Sequence, residues 1–247
     1  MEIRTFGVGG RIRECERLLC ESLRDLSGRL ILLPIPTSRD NIYITGSSTE
    51  TEEILPLIRE GDAIVGYNIP AALRQRAEQV GAPLYDGALD EAFLCANADL
   101  TARGTLGYLL THSESDLADL SVGVVGYGRI GIRLIRLLLL FDTRLTVYTT
   151  RQSVALELCE MGISATVIGE DSDFSGLDIL INTAPARQID ESRLPPDLEI
   201  IDLASGSIFE PSERLVKLAS IPDIMYPKTA GRLYAEAAIR ELWGEKL

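Results

Sequence analysis

Residues 122–131 read Val122-Gly-Val-Val-Gly-Tyr-Gly-Arg-Ile-Gly131, an apolar run that ends in Gly126-x-Gly128-x-x-Gly131. The β-branched residues ahead of the glycines predict a strand, and the apolar stretch Ile132 to Phe141 predicts a helix. Leu145-Thr-Val-Tyr-Thr149 has the make-up of a second strand. In that context each glycine has a physical task. The first permits a tight turn, the second lets backbone approach a pyrophosphate, and the third lets helix and strand pack closely. The amino end of the helix adds free N–H groups and a partial positive charge. Gly126, Tyr127, Gly128, Arg129, Ile130 and Gly131 are therefore candidate nucleotide-binding residues. The bland alternative is a glycine-rich turn without a ligand, and the flanking strand and helix weigh against it.

The end of the second strand bears on which nucleotide. An NAD site carries Asp or Glu about twenty residues past the first glycine, to hold the ribose 2′-hydroxyl. Here the chain reads Thr149-Thr150-Arg151-Gln152-Ser153, without a carboxylate. Hydroxyls at Thr149, Thr150 and Ser153 and the planar donor fork of Arg151 suit a 2′-phosphate. NADP is favoured over NAD. The competing reading is that Arg151 only opens the next helix in solvent.

The chain has 247 residues, room for two compact domains or one large one. A net charge of −13 opposes a nucleic-acid partner, whose phosphates would be repelled. Ile3 to Val8 is strand-like and lacks the charged-then-apolar layout of a secretory signal. The richest apolar run, Ile130 to Phe141, contains Arg133 and Arg136 and is too short to span a bilayer. A soluble, cytoplasmic protein without a membrane or nucleic-acid partner is expected. Cys15, Cys20, Cys95 and Cys159 are scattered, and one histidine completes the soft-ligand inventory, so no metal site is expected.

Strand-like runs begin at Ile3, Leu30, Ala63, Pro83, Val122, Leu145, Ala165, Ile179 and Ile200, with helical periodicities between them. That alternation predicts an α/β chain with parallel sheets flanked by helices. Helices are expected over Ala72 to Val80 and Val154 to Met161, closed by Gly81 and Gly162. A long helix from about Ala92 to Thr111 leads out of the first domain, followed by a polar linker, His112 to Asp116. The expected division is residues 1–96 and residues 97–247, the latter with the connecting helix and a last helix, Ala230 to Trp243. That last helix is expected to pack back near the first domain.

Four segments together resemble one family: Val124 to Gly131, Ile179-Leu-Ile-Asn-Thr-Ala-Pro185, Ile200-Ile-Asp-Leu-Ala-Ser205 and Pro227-Lys-Thr-Ala-Gly231. The family is the A subunit of dipicolinate synthase, the spore-forming bacterial enzyme that makes pyridine-2,6-dicarboxylate. The likeness extends to Leu33-Pro-Ile-Pro-Thr-Ser-Arg-Asp40 and to Asn97, Thr101 and Gly104. It implies a small flavodoxin-like first domain and a Rossmann second domain with a doubly wound parallel sheet. It also implies an oxidoreductase that interconverts dihydrodipicolinate and dipicolinate by hydride transfer, partnered by a flavoprotein-like B subunit; a homo-oligomer is expected. The chain departs from the family in three ways. Only one strand, Leu30 to Ile35, is readable between the first helix and Arg39, the family's Gly-Gly-Asp reads Gly9-Gly10-Arg11, and its acidic residue before the helix glycine is Arg103.

The remaining candidates lie at predicted strand and helix ends. Asn182, Thr183, Ala184 and Pro185 follow a strand and are placed against the nicotinamide ribose, although Asn-Thr-x-Pro is also a good turn sequence. Ser205 would face the same crevice, and Asp202 has either a direct part or the task of holding a loop. Lys228 and Thr229 open the last helix and make a carboxylate seat, or Thr229 is simply an N-cap. Arg39 is the expected second seat for a dicarboxylate. Asn97 and Thr101 share a helix face that either lines a substrate cleft or ties the helix down. Lys228, Arg39 and Ser205 are the expected catalytic set. His112 is read as a solvated linker residue, which argues against a simple 2-hydroxyacid dehydrogenase. The rival readings are a non-catalytic NADP-binding subunit or sensor, and a dehydrogenase of another small carboxylate.

Overall fold

The computed structural model describes residues 1–24, 27–169, 172–185, 189–204, 206 and 209–244. It is an α/β chain with two all-parallel sheets. Two compact units result, residues 1–97 together with 222–247, and residues 98–221.

In the first unit the strands are β1 (Glu2–Thr5), β2 (Arg29–Leu32), β3 (Asp62–Gly66) and β4 (Leu84–Asp86), and they pair in chain order. Only β2 stands between α1 (Gly10–Ser22) and Arg39, the single strand read from the sequence, and β1 pairs with it directly. Alternating residues face opposite ways, as the strand period requires. Leu30, Leu32, Ala63 and Val65 pack with α1 and the last helix, α8 (Pro227–Trp243). Ile31, Leu33 and Ile64 pack with Ile54 of α2 (Thr51–Ile54) and Leu73 and Ala77 of α3 (Ala71–Gln79). Burying each such Leu or Ile contributes roughly 1.5–3 kcal/mol.

The last helix therefore groups with the first unit, which departs from the 97–247 division. The cause is its buried stripe. Tyr234, Ala235, Ala238 and Ile239 are all fully buried, and Gly231 lets α1 come close: a Cβ there would stand 2.6 Å from Arg11 O. The helix also starts earlier than Ala230, with Pro227 at a first-turn position where its missing N–H costs nothing.

In the second unit the strands are β5 (Ser121–Val125), β6 (Arg144–Thr149), β7 (Ser164–Val167), β8 (Ile179–Asn182), β9 (Glu199–Asp202) and β10 (Leu215–Lys217). Their order is β10-β9-β8-β5-β6-β7, so the chain reverses direction across the sheet at β5. Helix α5 (Arg129–Leu139) follows β5, and α6 (Gln152–Glu160) follows β6. Helix α4 (Glu91–His112) joins the units in sequence, and α7 (Ile221–Met225) precedes α8. Among the described residues no helix is long and apolar enough to cross a membrane, and no group of three or more His, Cys, Asp or Glu is placed to hold a metal ion.

Candidate nucleotide site and the sheet edge around it

Parallel pairing puts Tyr148, Val125, Asn182, Asp202 and Lys217 in one row across the second sheet. Beyond that row the turns after β5, β6 and β8 enclose a pocket. Its walls are Gly126, Tyr127 and Gly128, then Thr149, Thr150 and Arg151, then Thr183, Ala184 and Pro185, with Ile168 at the side. This is the carboxyl edge of a sheet at its point of reversal, where α/β folds receive ligands.

The three glycines differ in what the protein itself demands. Gly126 has φ 98°, and a Cβ on it would meet Thr183 Oγ1 at 2.7 Å. A Cβ on Gly131 would lie 2.3 Å from Gly126 O, so the helix can approach the strand only without one. At Gly128 a Cβ would meet nothing within 4 Å. The protein's own packing thus accounts for the first and third glycines and leaves open space at the second. Helix α5 begins there with no side-chain cap and no acidic residue in its first turn. Its amino end keeps its positive potential for an external anion. A dinucleotide's pyrophosphate fits this turn by the chemistry of its donors.

Arg151 reaches across from β6, its Nη2 donating to Tyr127 O at 2.8 Å. Thr149 is buried and its Oγ1 accepts the Arg151 amide at 3.2 Å. Thr150 is exposed on the pocket wall. Ser153, an exposed residue of α6, is not among the lining residues, nor are Arg129, Ile130 and Gly131 of α5.

Asn182 is nearly fully buried and points its polar atoms at the protein. Its Nδ2 donates to Ala184 O at 3.1 Å and to Asp202 Oδ1 at 2.7 Å, and its Oδ1 accepts the Ala184 amide at 3.2 Å. Thr183 Oγ1 donates to Val125 O at 2.8 Å. Asp202 is as deeply buried; its Oδ1 also accepts the Ala204 amide at 3.0 Å, and its Oδ2 pairs with Lys217 Nζ. Lys217 donates as well to Gly206 O. A buried, fully bonded carboxylate thus joins the loop after β8 to the loop after β9. Lys217, which compensates its charge, lies on a strand missed in the sequence, a segment only three residues long.

None of the other expected residues that are described lines this pocket. Ser205 lies outside the described residues. Arg39 is exposed in the loop after β2, a loop held by Asp40, whose carboxylate accepts the amides of Tyr43 at 2.9 Å and Ile42 at 2.8 Å. Those bonds, with one from Ser38, keep the Asp40 carboxyl below its ordinary pKa. Lys228 is exposed on the first turn of α8, and no ion pair or hydrogen bond joins it to Arg39 among the described residues. Thr229 is partly buried inside that turn and is not the N-cap, which is Tyr226. Asn97 is half-buried and Thr101 buried on α4, with Thr101 O accepting from Thr105 Oγ1 at 2.9 Å. His112 is the last residue of α4 rather than a linker residue. Stacking on Tyr108 at 4.0 Å and a 3.0 Å contact with Tyr108 O extend the helix to include it.

No protein-family model matches the chain. One curated relative, the dipicolinate synthase A subunit of Bacillus subtilis, is 27% identical over 150 residues, a match spanning 56% of this chain and 50% of that protein's length. Among solved structures, the dipicolinate synthase A subunit from Bacillus halodurans superposes with a TM-score of 0.76 at 21% identity, covering 97% of this chain and 96% of the other. Its counterpart from Bacillus subtilis gives 0.72 at 21% identity, covering 95% and 93%. What this chain is similar to, in sequence over half its length and in fold over nearly all of it, is the A subunit of dipicolinate synthase.

Proposed function

We propose that this chain is an NADP-dependent oxidoreductase of the dipicolinate synthase A-subunit type, interconverting dihydrodipicolinate and dipicolinate. The observation that carries the reading is the open space at Gly128, at the uncapped amino end of α5, where the sheet reverses. Gly126 to Gly131 would hold the pyrophosphate. Thr150 and the unengaged N–H groups of Arg151 would take a 2′-phosphate, with Thr149 fixing the Arg151 backbone. Thr183 to Pro185 would border the nicotinamide ribose, and Asn182 and Asp202 would hold that loop in place rather than touch the nucleotide. When bound, the nicotinamide supplies a hydride acceptor, and aromatisation of the dihydropyridine ring supplies the driving force. The protein's part is orientation and exclusion of water, which can supply most of the acceleration.

Self-association, a flavoprotein-like B subunit, and a cytoplasmic setting belong to this proposal. A second reading, a non-catalytic NADP-binding subunit, is favoured by one observation: the single histidine is stacked on Tyr108 at the end of α4 rather than at a strand end. The test is two-part. Fluorescence titration with NADPH and NADH measures the cofactor, and NADPH formation from dihydrodipicolinate by the isolated chain measures the reaction. Binding without turnover, with or without a flavoprotein subunit, selects the second reading; no binding of either nucleotide removes both.

A further inference from the structure

We propose that the corner of the first unit formed by Gly9, Gly10, Arg11 and the first turn of α8 seats a carboxylate of a small organic acid. This deepens the reading above and rests on it for the identity of the acid. The corner begins at the loop Gly7-Val8-Gly9, between the carboxyl end of β1 and Gly10, the first residue of α1. Neither α1 nor α8 is capped by the side chain of its own N-cap residue, and neither has an acidic residue in its first turn. The two helices start together: a Cβ on Gly10 would stand 2.6 Å from Pro227 Cβ, and one on Gly231 2.6 Å from Glu14 Cβ. They therefore run side by side in one direction. Each amino end carries about half a positive charge, and here the two add.

The corner already accepts a carboxylate. Asp223, on α7, takes the Arg11 amide on its Oδ1 at 2.7 Å. The second, independent observation is the Arg11 side chain. It is 6% exposed, yet its Nε has no hydrogen-bond partner, and its guanidinium is in no ion pair among the described residues. Burial lowers the guanidinium's pKa, while the charge of Asp223 opposes that shift most strongly. A buried charged donor without an acceptor has lost its water and gained nothing in return, so an incoming acceptor is favoured there. A carboxylate has the acceptor geometry that a guanidinium fork fits. Lys228 adds positive charge on the rim. Glu14, the carboxylate whose pKa it helps depress, is engaged by Arg17 at 2.7 Å. Asp223 alone leaves two helix ends, Arg11 and Lys228 with surplus positive potential.

Amide spectra of the full chain, titrated with pyridine-2,6-dicarboxylate and separately with inorganic phosphate, test the seat. The dicarboxylate is expected to shift the amides of Gly9, Gly10 and Arg11 saturably, with phosphate clearly weaker. Arg11→Met should weaken the dicarboxylate by about tenfold or more. Shifts confined to other residues, no saturable binding, or equal response to phosphate would each overturn the assignment; so would a folded Arg11→Met chain that binds unchanged. Where that variant fails to fold, the amide map of the unaltered chain decides. NADPH fluorescence on the same samples separates the two ideas. Nucleotide binding without a carboxylate response ends this inference alone, and the reverse ends the oxidoreductase reading alone.

Discussion

Asn182 and Asp202 stand side by side on β8 and β9, joined by a 2.7 Å hydrogen bond from Nδ2 to Oδ1. Both are about 1% exposed, so the bond forms away from solvent, with Lys217 supplying the opposite charge. Asp202→Ala would strip acceptors from Asn182, Lys217 and the Ala204 amide together. Leaving the buried Asn182 amide and the Ala204 N–H without this acceptor costs about 1–3 kcal/mol for each donor, while the exposed Lys217 adds little. Urea unfolding should register a loss of that size. Asp202→Asn, which keeps one acceptor, should lose about 1–3 kcal/mol. Equal stability for all three chains would show that the network holds nothing.

Gly128 and Gly131 offer a paired comparison. Gly131→Ala places a methyl against Gly126 O and should destabilise the second unit by about 1–3 kcal/mol, as overpacking does. Gly128→Ala meets open space, so its stability should stay within about 0.5 kcal/mol of the parent. Its nucleotide affinity should nevertheless fall about tenfold or more, because the methyl fills the place a pyrophosphate would approach. Thermal melts and fluorescence titration on the two variants check the contrast. A Gly128→Ala chain that binds nucleotide normally would take away the main support for a cofactor at this turn.

The two-sheet fold and the pocket at β5 were legible because their signals are local. Nine strand starts follow from alternation of short apolar runs, and the structure places a strand within two residues of each. Thr149 to Arg151 and Thr183 to Pro185 meet Gly126 to Gly128 because parallel register aligns the ends of β6, β8 and β5. What stayed hidden depends on distant pairing. β10 is three residues long, and Lys217 looks like a surface lysine until β9 lies beside it. The burial of Arg11 has no local signal, since the chain that packs over it arrives more than 200 residues later, as the 212-residue separation of its bond to Asp223 records.

Arg151 bears on cofactor choice. One of its N–H groups is held by Tyr127 O at 2.8 Å, which fixes the guanidinium over the pocket mouth. A 2′-phosphate would gain charged hydrogen bonds worth about 1.5–3 kcal/mol, roughly tenfold or more in affinity. Arg151→Ala should therefore weaken NADPH by about tenfold or more and leave NADH nearly unchanged. Higher salt should shrink the parent chain's preference, because an exposed charge contact is screened. If the parent binds both nucleotides equally, the 2′-phosphate role of Thr149 to Ser153 is wrong.

Tyr148 should set part of the alkaline limit of stability. Its ring is buried against Phe174 at 4.7 Å, and its hydroxyl donates to Asp173 O at 2.6 Å. Burial, aided by the Asp173 charge, pushes the phenol from its ordinary value of 10.0 up to about 12. The folded chain then holds this proton when the unfolded chain has released it. Stability is unaffected below about pH 10 and falls as pH rises from there through about 12, by about 1.4 kcal/mol for each pH unit in that window. Tyr234 and Tyr85, raised mainly by burial, push the same way. Tyr148→Phe should cost about 1 kcal/mol at neutral pH through the lost hydrogen bond, yet flatten the decline above pH 10. Urea midpoints measured from pH 8 to pH 11.5 decide it: an unchanged slope in the variant would place the titrating group elsewhere.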